Sequence, residues 1–277
     1  MSGALAGRVA IVTGGGWNIG RAVARRLAAE GAAVALASRD AARLEAVAGE
    51  IRAAGGRAIA VRTDVTDLVQ VEALVARTLA EYGGLHALLA LAGGQGAYGS
   101  IETVDPAAWM RCVQVNLLGA FHCARAALPV FRRQDQGALV FCAGGGAFFP
   151  MLGREMTAYA CAKAALCRLT DQLTAEYWDT AIRVNCLEPG LVWNEDTERR
   201  IAAEERATGR PHPERALARP AEDAAELALW LVSDQSRPLR GRMVSVGDTW
   251  WRDPAKVRIV DQHEHLYRVH RHYLPEP

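Results

Sequence analysis

The chain lacks an excess of charge of either sign: 277 residues carry 32 Lys and Arg against 31 Asp and Glu, a formal net charge of +1. Such a balance creates no field that would gather a nucleic acid or an anionic membrane, so neither is expected as a partner and a small molecule is. The six cysteines, at positions 112, 123, 142, 161, 167 and 186, include no CxxC pair. That absence argues against a disulfide framework and reads as buried reduced thiols in a cytoplasmic protein. No apolar run approaches the roughly 20 residues needed to span a bilayer. A strand-like run, RVAIVTGG, begins within about ten residues of the start, leaving no room for a signal peptide. The tail holds four of the seven histidines in HEHLYRVHRH. HxH spacing without a nearby cysteine or second acidic cluster reads as a surface feature, so no metal site is expected. One further absence is local: no serine stands between Gly137 and Met156.

What is present reads as one large α/β domain, 51% hydrophobic and 23% charged, long enough to bury a sizeable core. Short apolar, β-branched runs (RVAIVTG, AAVALAS, RAIAVRTD, ALLALAGG, ALVFCAGGG, IRVNCLEPG, GRMVSVG) alternate with longer Ala/Leu/Arg-rich segments. That alternation predicts βαβ units and a doubly wound, Rossmann-type parallel sheet of about seven strands with helices on both faces. Ligands of such sheets bind at the strand C-termini. Residues 1–250 are expected to form this single domain. A charged, proline-bounded segment at about 194–219 suits a flap over the site. Residues 251–277 are expected to form a tail that packs on the core or on a partner subunit.

Two motifs about 145 residues apart carry the chemistry: TGGGWNIG near the start and YACAK, Tyr159 to Lys163. The first follows a strand and opens a helix, where glycines let backbone N–H groups approach a pyrophosphate. Gly14, Gly15, Gly16 and Gly20 supply that geometry, and Asn18 is a residue that tolerates a left-handed backbone. In the second, Tyr159 and Lys163 share one helical face. The phenol ordinarily titrates near pH 10, and a neighbouring cation favours the phenolate.

Together with Pro189-Gly190 at its expected distance, these motifs resemble the short-chain dehydrogenase/reductase family over about residues 5 to 248. The resemblance implies hydride transfer between a nicotinamide cofactor and a ketone or secondary alcohol. It makes Tyr159 the acid/base, has Lys163 also hold the nicotinamide ribose, and has Asn116 in VNLLG help route a proton-relay water. It also implies cofactor contacts from Gly14, Gly16, Asn18, Ile19, Gly20, Ala92, Gly93, Pro189, Gly190 and Val192, and, at the adenine, from Asp64 and Val65. The second strand ends Ser38-Arg39-Asp40. Serine in the usual acidic position, followed by a guanidinium that matches phosphate oxygens, favours NADP(H), with NAD(H) as the alternative. Asp40 is a candidate helix cap, and Asp64 could equally cap the next helix. Family members commonly form homodimers or homotetramers through two long helices, and the Ala/Leu-rich face around Ala164, Leu166 and Leu169 would allow this.

The family pattern breaks at the substrate end. Its serine should lie roughly thirteen residues before the tyrosine, which is Gly146, or at the strand end, which is Ala143 or Gly144; none carries a hydroxyl. Losing one oxyanion donor costs on the order of 10²- to 10³-fold in rate. A backbone N–H of the GGG run, a water, a substrate hydroxyl or the weak Cys142 thiol could substitute, whereas Thr157 reads as a helix cap. Ala90-Leu91-Ala92-Gly93 replaces the usual Asn-Asn-Ala-Gly, and Asn194 stands near the place of a threonine that contacts the carboxamide. Trp193, Met151, Phe148 and Phe149 are candidates for an apolar substrate pocket, with core packing as the alternative. An absent serine also permits non-redox acid/base work on the same scaffold (elimination, isomerisation or cyclisation), or a non-catalytic role.

Overall fold

Seven strands form one parallel sheet in the order β3-β2-β1-β4-β5-β6-β7. The structure is a computed structural model and describes residues 3–269. The strands are β1 Val9–Thr13, β2 Ala33–Ser38, β3 Arg57–Arg62, β4 Ala87–Ala90, β5 Gly137–Cys142, β6 Ile182–Glu188 and β7 Met243–Ser245. β1, β4 and β5 are buried along their whole length, as continuous apolar runs covered on both faces should be. The strand order reverses between β1 and β4, and that switch point opens the crevice where doubly wound sheets bind ligands.

The connecting helices are α1 Asn18–Ala29, α2 Ala41–Ala53, α3 Leu68–Tyr82, α4 Pro106–Val113, α5 Gly119–Gln134, α6 Thr157–Glu176, α7 Glu195–Thr208, α8 Ala221–Val232 and α9 Pro254–Gln262. One core joins β-strand side chains to α1, α2 and α8, including Val23, Leu27, Leu44 and Leu227. The other joins them to α3, α5 and α6 through Leu74, Phe131 and Leu166. Several starts are set by local chemistry. Asp40, Asp67, Asp105 and Asp253 cap α2, α3, α4 and α9 by accepting from backbone N–H groups, and prolines open α4 and α9. The expected cap at Asp40 is present, whereas α3 is capped by Asp67 and not by Asp64.

Two further features bear on the site and on the proposed dimer face. The stretch from Pro106 to Gln134 is continuous helix, with a π-helical turn at Gln114–Leu118 joining α4 to α5. The second concerns the proposed dimer face: Leu166 is 1% exposed and sits in the core. Its position on α6 turns it toward the sheet, so the apolar residues that the two long helices leave exposed include Leu118 and Phe121. Beyond β7, Trp250 and Trp251 are buried against Trp230 of α8, and Val257 and Val260 of α9 are buried. Arg242, 2% exposed, donates to the Val260 and Asp261 carbonyls near the end of α9 and to that of His263 just past it. Thus the part of the tail up to residue 269 packs on its own chain. The remainder, with His270 and His272, lies outside the described residues. Among the described residues, no helix is long and apolar enough to cross a membrane, and no three His, Cys, Asp or Glu side chains converge as metal ligands.

Candidate active site

The glycine turn between β1 and α1 is built by close approach. A Cβ at Gly20 would lie 2.1 Å from the Gly14 carbonyl oxygen, nearer than real Cβ contacts allow. Asn18 has φ +44, the left-handed conformation expected of it. The N-cap residue of α1 is Trp17, which offers no capping hydrogen bond, and the first turn holds no acidic residue. The first N–H groups of α1 are therefore available to an anion, and the helix dipole favours one there.

At the end of β2, Ser38 and Arg39 stand beside the turn, with Ser38 Oγ donating to the Asp40 carbonyl at 3.4 Å. Arg43, which sequence reasoning missed, stacks its guanidinium 4.2 Å from the Trp17 ring centre and pairs with Asp40 at 3.3 Å. The available signal was its place: a second arginine in the first turn of the helix that follows Arg39 and the Asp40 cap. Asp64 accepts from the N–H and hydroxyl of Thr66, which hold its carboxyl below the usual range. Val65 is buried, and its carbonyl meets His122 Nδ1 at 2.8 Å.

The C-terminal ends of β4 and β5 bring Tyr159, Lys163, Asn116 and Gly93 together. Lys163, 4% exposed, lies with Nζ 5.5 Å from the Tyr159 ring centre and donates to the Cys142 carbonyl at 2.8 Å. A Cβ at Gly93 would fall 2.6 Å from Asn116 Oδ1 and 3.3 Å from Lys163 Nζ. Asn116 sits in the π-turn, a distortion common at functional sites. Its Nδ2 donates to the Gly94 and Cys112 carbonyls at 2.8 and 2.9 Å, and its Oδ1 accepts from Gly94 N at 3.3 Å. Burial pushes the Tyr159 phenol well above the ordinary tyrosine range, with nearby thiols and Glu188 acting in the same direction.

The structure resolves which position faces the tyrosine. A Cβ at Gly144 would lie 2.3 Å from the Tyr159 hydroxyl, whereas one at Gly146 would meet Ala160 and Met151. The other hydroxyl and thiol candidates are engaged elsewhere. Cys142 is buried, its thiol donates to the Ala143 carbonyl, and burial pushes it up. Thr157 is the first helical residue and not the cap; its hydroxyl accepts from the Trp109 indole at 3.1 Å. That partner is 48 residues away in the chain and so was invisible to local reasoning.

Beyond β6, Glu188 accepts from Gly190 N at 3.0 Å and from Ser245 Oγ at 2.5 Å, fixing the turn at Pro189-Gly190. Val192 follows, and then the charged segment at 194–219 begins, with Asn194 capping α7 by accepting from Thr197 N at 2.8 Å. A bridge between Leu191 and Ala218 joins the two ends of the excursion. Inside it, Arg215 pairs with Glu198 and Glu205 and lies 4.8 Å from the Trp193 ring centre. Trp193 in turn meets His212 edge-on at 5.7 Å. Arg154 of the β5–α6 loop pairs with Glu214, strapping that loop to the 194–219 segment. Phe148 and Phe149 are 45% and 79% exposed, which excludes core packing for them. A cavity of about 620 Å³ runs between Asn18, Trp193, Asn194 and Arg219.

The pattern that defines the family of short chain dehydrogenases matches residues 8–205. The chain belongs to the short-chain dehydrogenase family. It is similar to cis-4-hydroxycyclohexanecarboxylate dehydrogenase of Sinomonas cyclohexanicum, 37% identical over 250 residues, covering 89% of this chain and 97% of that one. It is also similar to the 2,5-dichloro-2,5-cyclohexadiene-1,4-diol dehydrogenase LinX of Sphingobium indicum, 31% identical over 250 residues, covering 90% and 98%. The crystal structure of levodione reductase superposes with a TM-score of 0.78 at 29% identity, covering 87% of this chain and 96% of that one. This short-chain dehydrogenase is thus an oxidoreductase by family, and its family uses nicotinamide cofactors. Its residues fit such a group: Gly20 lets α1 start so close to the turn that a Cβ there would meet the Gly14 carbonyl, and α1 presents uncapped N–H groups at that point.

Proposed function

We propose that the protein is an NADP(H)-dependent oxidoreductase that interconverts a ring ketone and its secondary alcohol, with Tyr159 as the acid/base. The observation that carries this reading is the buried Lys163 one turn from Tyr159, beside Gly93 and Asn116 at the switch point of the sheet. The names of the relatives, two of which act on six-membered-ring alcohols, support the substrate class.

The chemistry that a bound nicotinamide supplies is a hydride exchanged with the carbon bearing the oxygen. The residues of the chain do the rest. The turn at Gly14 to Gly20, with Asn18 and Ile19, would hold the pyrophosphate. Ser38, Arg39 and Arg43 would meet a 2′-phosphate, with Asp64 and Val65 at the adenine. Ala92 and Gly93 would lie along the ribose that Lys163 holds, and Pro189, Gly190 and Val192 would lie behind the carboxamide. In ketone reduction the neutral Tyr159 phenol gives its proton to the substrate oxygen, and burial keeps that proton in place until it is needed. Asn116 holds the Gly94 segment against this site and helps route the water that restores the proton. The flap at 194–219 closes over the substrate. We keep a homodimer or homotetramer as the expected assembly, now through the exposed Leu118 and Phe121 stripe.

The test is a fluorescence titration with NADPH and, in parallel, NADH, followed by turnover of a cyclohexanone panel with Tyr159→Phe as control. Preferential NADPH binding and consumption with wild type alone is the expected result. Binding of neither cofactor refutes the proposal. Product formed without consumption of bound NADPH would move the protein to the non-redox acid/base reading that the missing hydroxyl permits.

A further inference from the structure

We infer that Gly144 is a positioning residue: having no side chain, it lets the Tyr159 hydroxyl settle over the end of β5. The donor role that the family gives to a serine hydroxyl then passes to the backbone N–H groups of the Gly144-Gly145-Gly146 turn. The first half stands on geometry alone. The second rests on the oxidoreductase reading, because it concerns the substrate oxygen.

A Cβ built at residue 144 would lie 2.3 Å from the Tyr159 oxygen and 3.2 Å from Cζ, so the phenol occupies the volume any side chain there would take. The backbone itself does not ask for glycine at this point. Gly146 has φ +87 and needs its glycine for that reason, whereas Gly144 is not among the residues of positive φ. The neighbours do not share the contact either. A Cβ at Gly145 would meet only Met151 Sδ at 3.0 Å, and one at Gly146 would meet Ala160. The absence of a side chain at 144 is therefore tied to the tyrosine, and a serine restored there would displace the phenol it is meant to assist.

The donors lie in the same turn. Ala143 N donates to the Leu187 carbonyl at 2.8 Å and Ala147 N to the Gly144 carbonyl at 3.1 Å. Between them, the N–H groups of Gly144, Gly145 and Gly146 meet no acceptor among the described residues. Preorganised backbone N–H groups are as suited as a hydroxyl to a developing oxyanion, and they require no rotor to be held. On this inference a substrate oxygen that accepts from the Tyr159 phenol takes its second hydrogen bond from these N–H groups. The inference adds hydrogen bonds and no covalent step.

The experiment places Gly144→Ala and Gly144→Ser in the wild-type chain and in Tyr159→Phe. In thermal melts each substitution should lower Tm by several degrees more in the wild type than in Tyr159→Phe, where the oxygen it collides with is gone. Equal losses in the two backgrounds overturn the inference. In ring-ketone reduction both single variants should fall at least tenfold in kcat/KM, the serine no better than the alanine, with the alkaline limb of the pH profile displaced. A Gly144→Ser enzyme that is faster than wild type, or tenfold faster than Gly144→Ala, shows that the side-chain hydroxyl is the better donor and overturns it too. Should the wild-type background fail to fold with either substitution, folding in Tyr159→Phe alone supports the steric claim, and failure in both sinks it. If the wild type reduces no ketone, the proposed function fails while the melts still judge the role of Gly144.

Discussion

Asn116→Ala removes four hydrogen bonds from a side chain that is 1% exposed: two to Gly94, one to the Cys112 carbonyl and a long, weak one of 3.5 Å to the Cys112 sulfur. Gly94 is exposed, so water replaces much of what its N–H and C=O lose, and those two bonds contribute about 0.5 kcal/mol each. The Cys112 carbonyl lies inside the helix junction and loses one side-chain donor there, for about 1–1.5 kcal/mol more. The better helix propensity of alanine returns roughly 0.6 kcal/mol, so the net loss is about 2 kcal/mol. At roughly 2–4 °C per kcal/mol for a chain of this size class, Tm should fall by about 4–8 °C in a fluorescence melt. The function should suffer at the same place. With the Gly93-Gly94 segment no longer tied to the π-turn, NADPH affinity should weaken several-fold in a titration, and kcat should fall with it. An unchanged Tm and cofactor Kd would refute this account. A loss confined to kcat would assign Asn116 to proton routing instead of to the clamp.

Tyr159→Phe should cost about 10²- to 10⁴-fold in turnover, as expected for a general acid, while cofactor Kd stays within about twofold. The same variant carries a stability signature. Burial raises the folded phenol above its unfolded value, so stability is fully present below about pH 10, falls as pH rises beyond it, and does so less in Tyr159→Phe; denaturant melts across that range give the answer. Arg39→Ala and Arg43→Ala should each weaken NADPH about tenfold, the loss of a charge-assisted phosphate contact, and leave NADH nearly unchanged. Equal loss for both cofactors would instead make these residues structural. Arg215→Ala frees Glu198, Glu205 and the Trp193 face together. It should speed limited proteolysis between residues 195 and 215 several-fold and raise KM for the ketone, and an unchanged cleavage rate would show that the flap is held by other contacts.

The sheet was legible because its signals are local. Runs such as RVAIVTG and ALVFCAGGG announce buried parallel strands, and the glycine turn has one sensible place, between the first strand and the first helix. Tyr159 and Lys163 were legible because helical spacing alone puts them on one face. What escaped was set by contacts between distant segments. Leu166 looked like part of a helix face open to a partner, but which side of α6 meets the sheet is decided by packing. The hydroxyl of Thr157 is taken by Trp109, a partner no local pattern could name. The register of the missing serine was ambiguous among Ala143, Gly144 and Gly146 because the loop between strand and helix has no fixed length. Only the position of the phenol singles out Gly144.

The bridge between Leu191 and Ala218 has an architectural consequence. The excursion that carries α7 leaves and rejoins the body of the protein at adjacent points, so its length is nearly independent of the sheet it grows from. Doubling such a loop costs only about 0.6 kcal/mol in closure entropy, far less than any change to the strands themselves. Segments of different length and composition can therefore be exchanged between Leu191 and Ala218 while the strands and the glycine turn stay as they are.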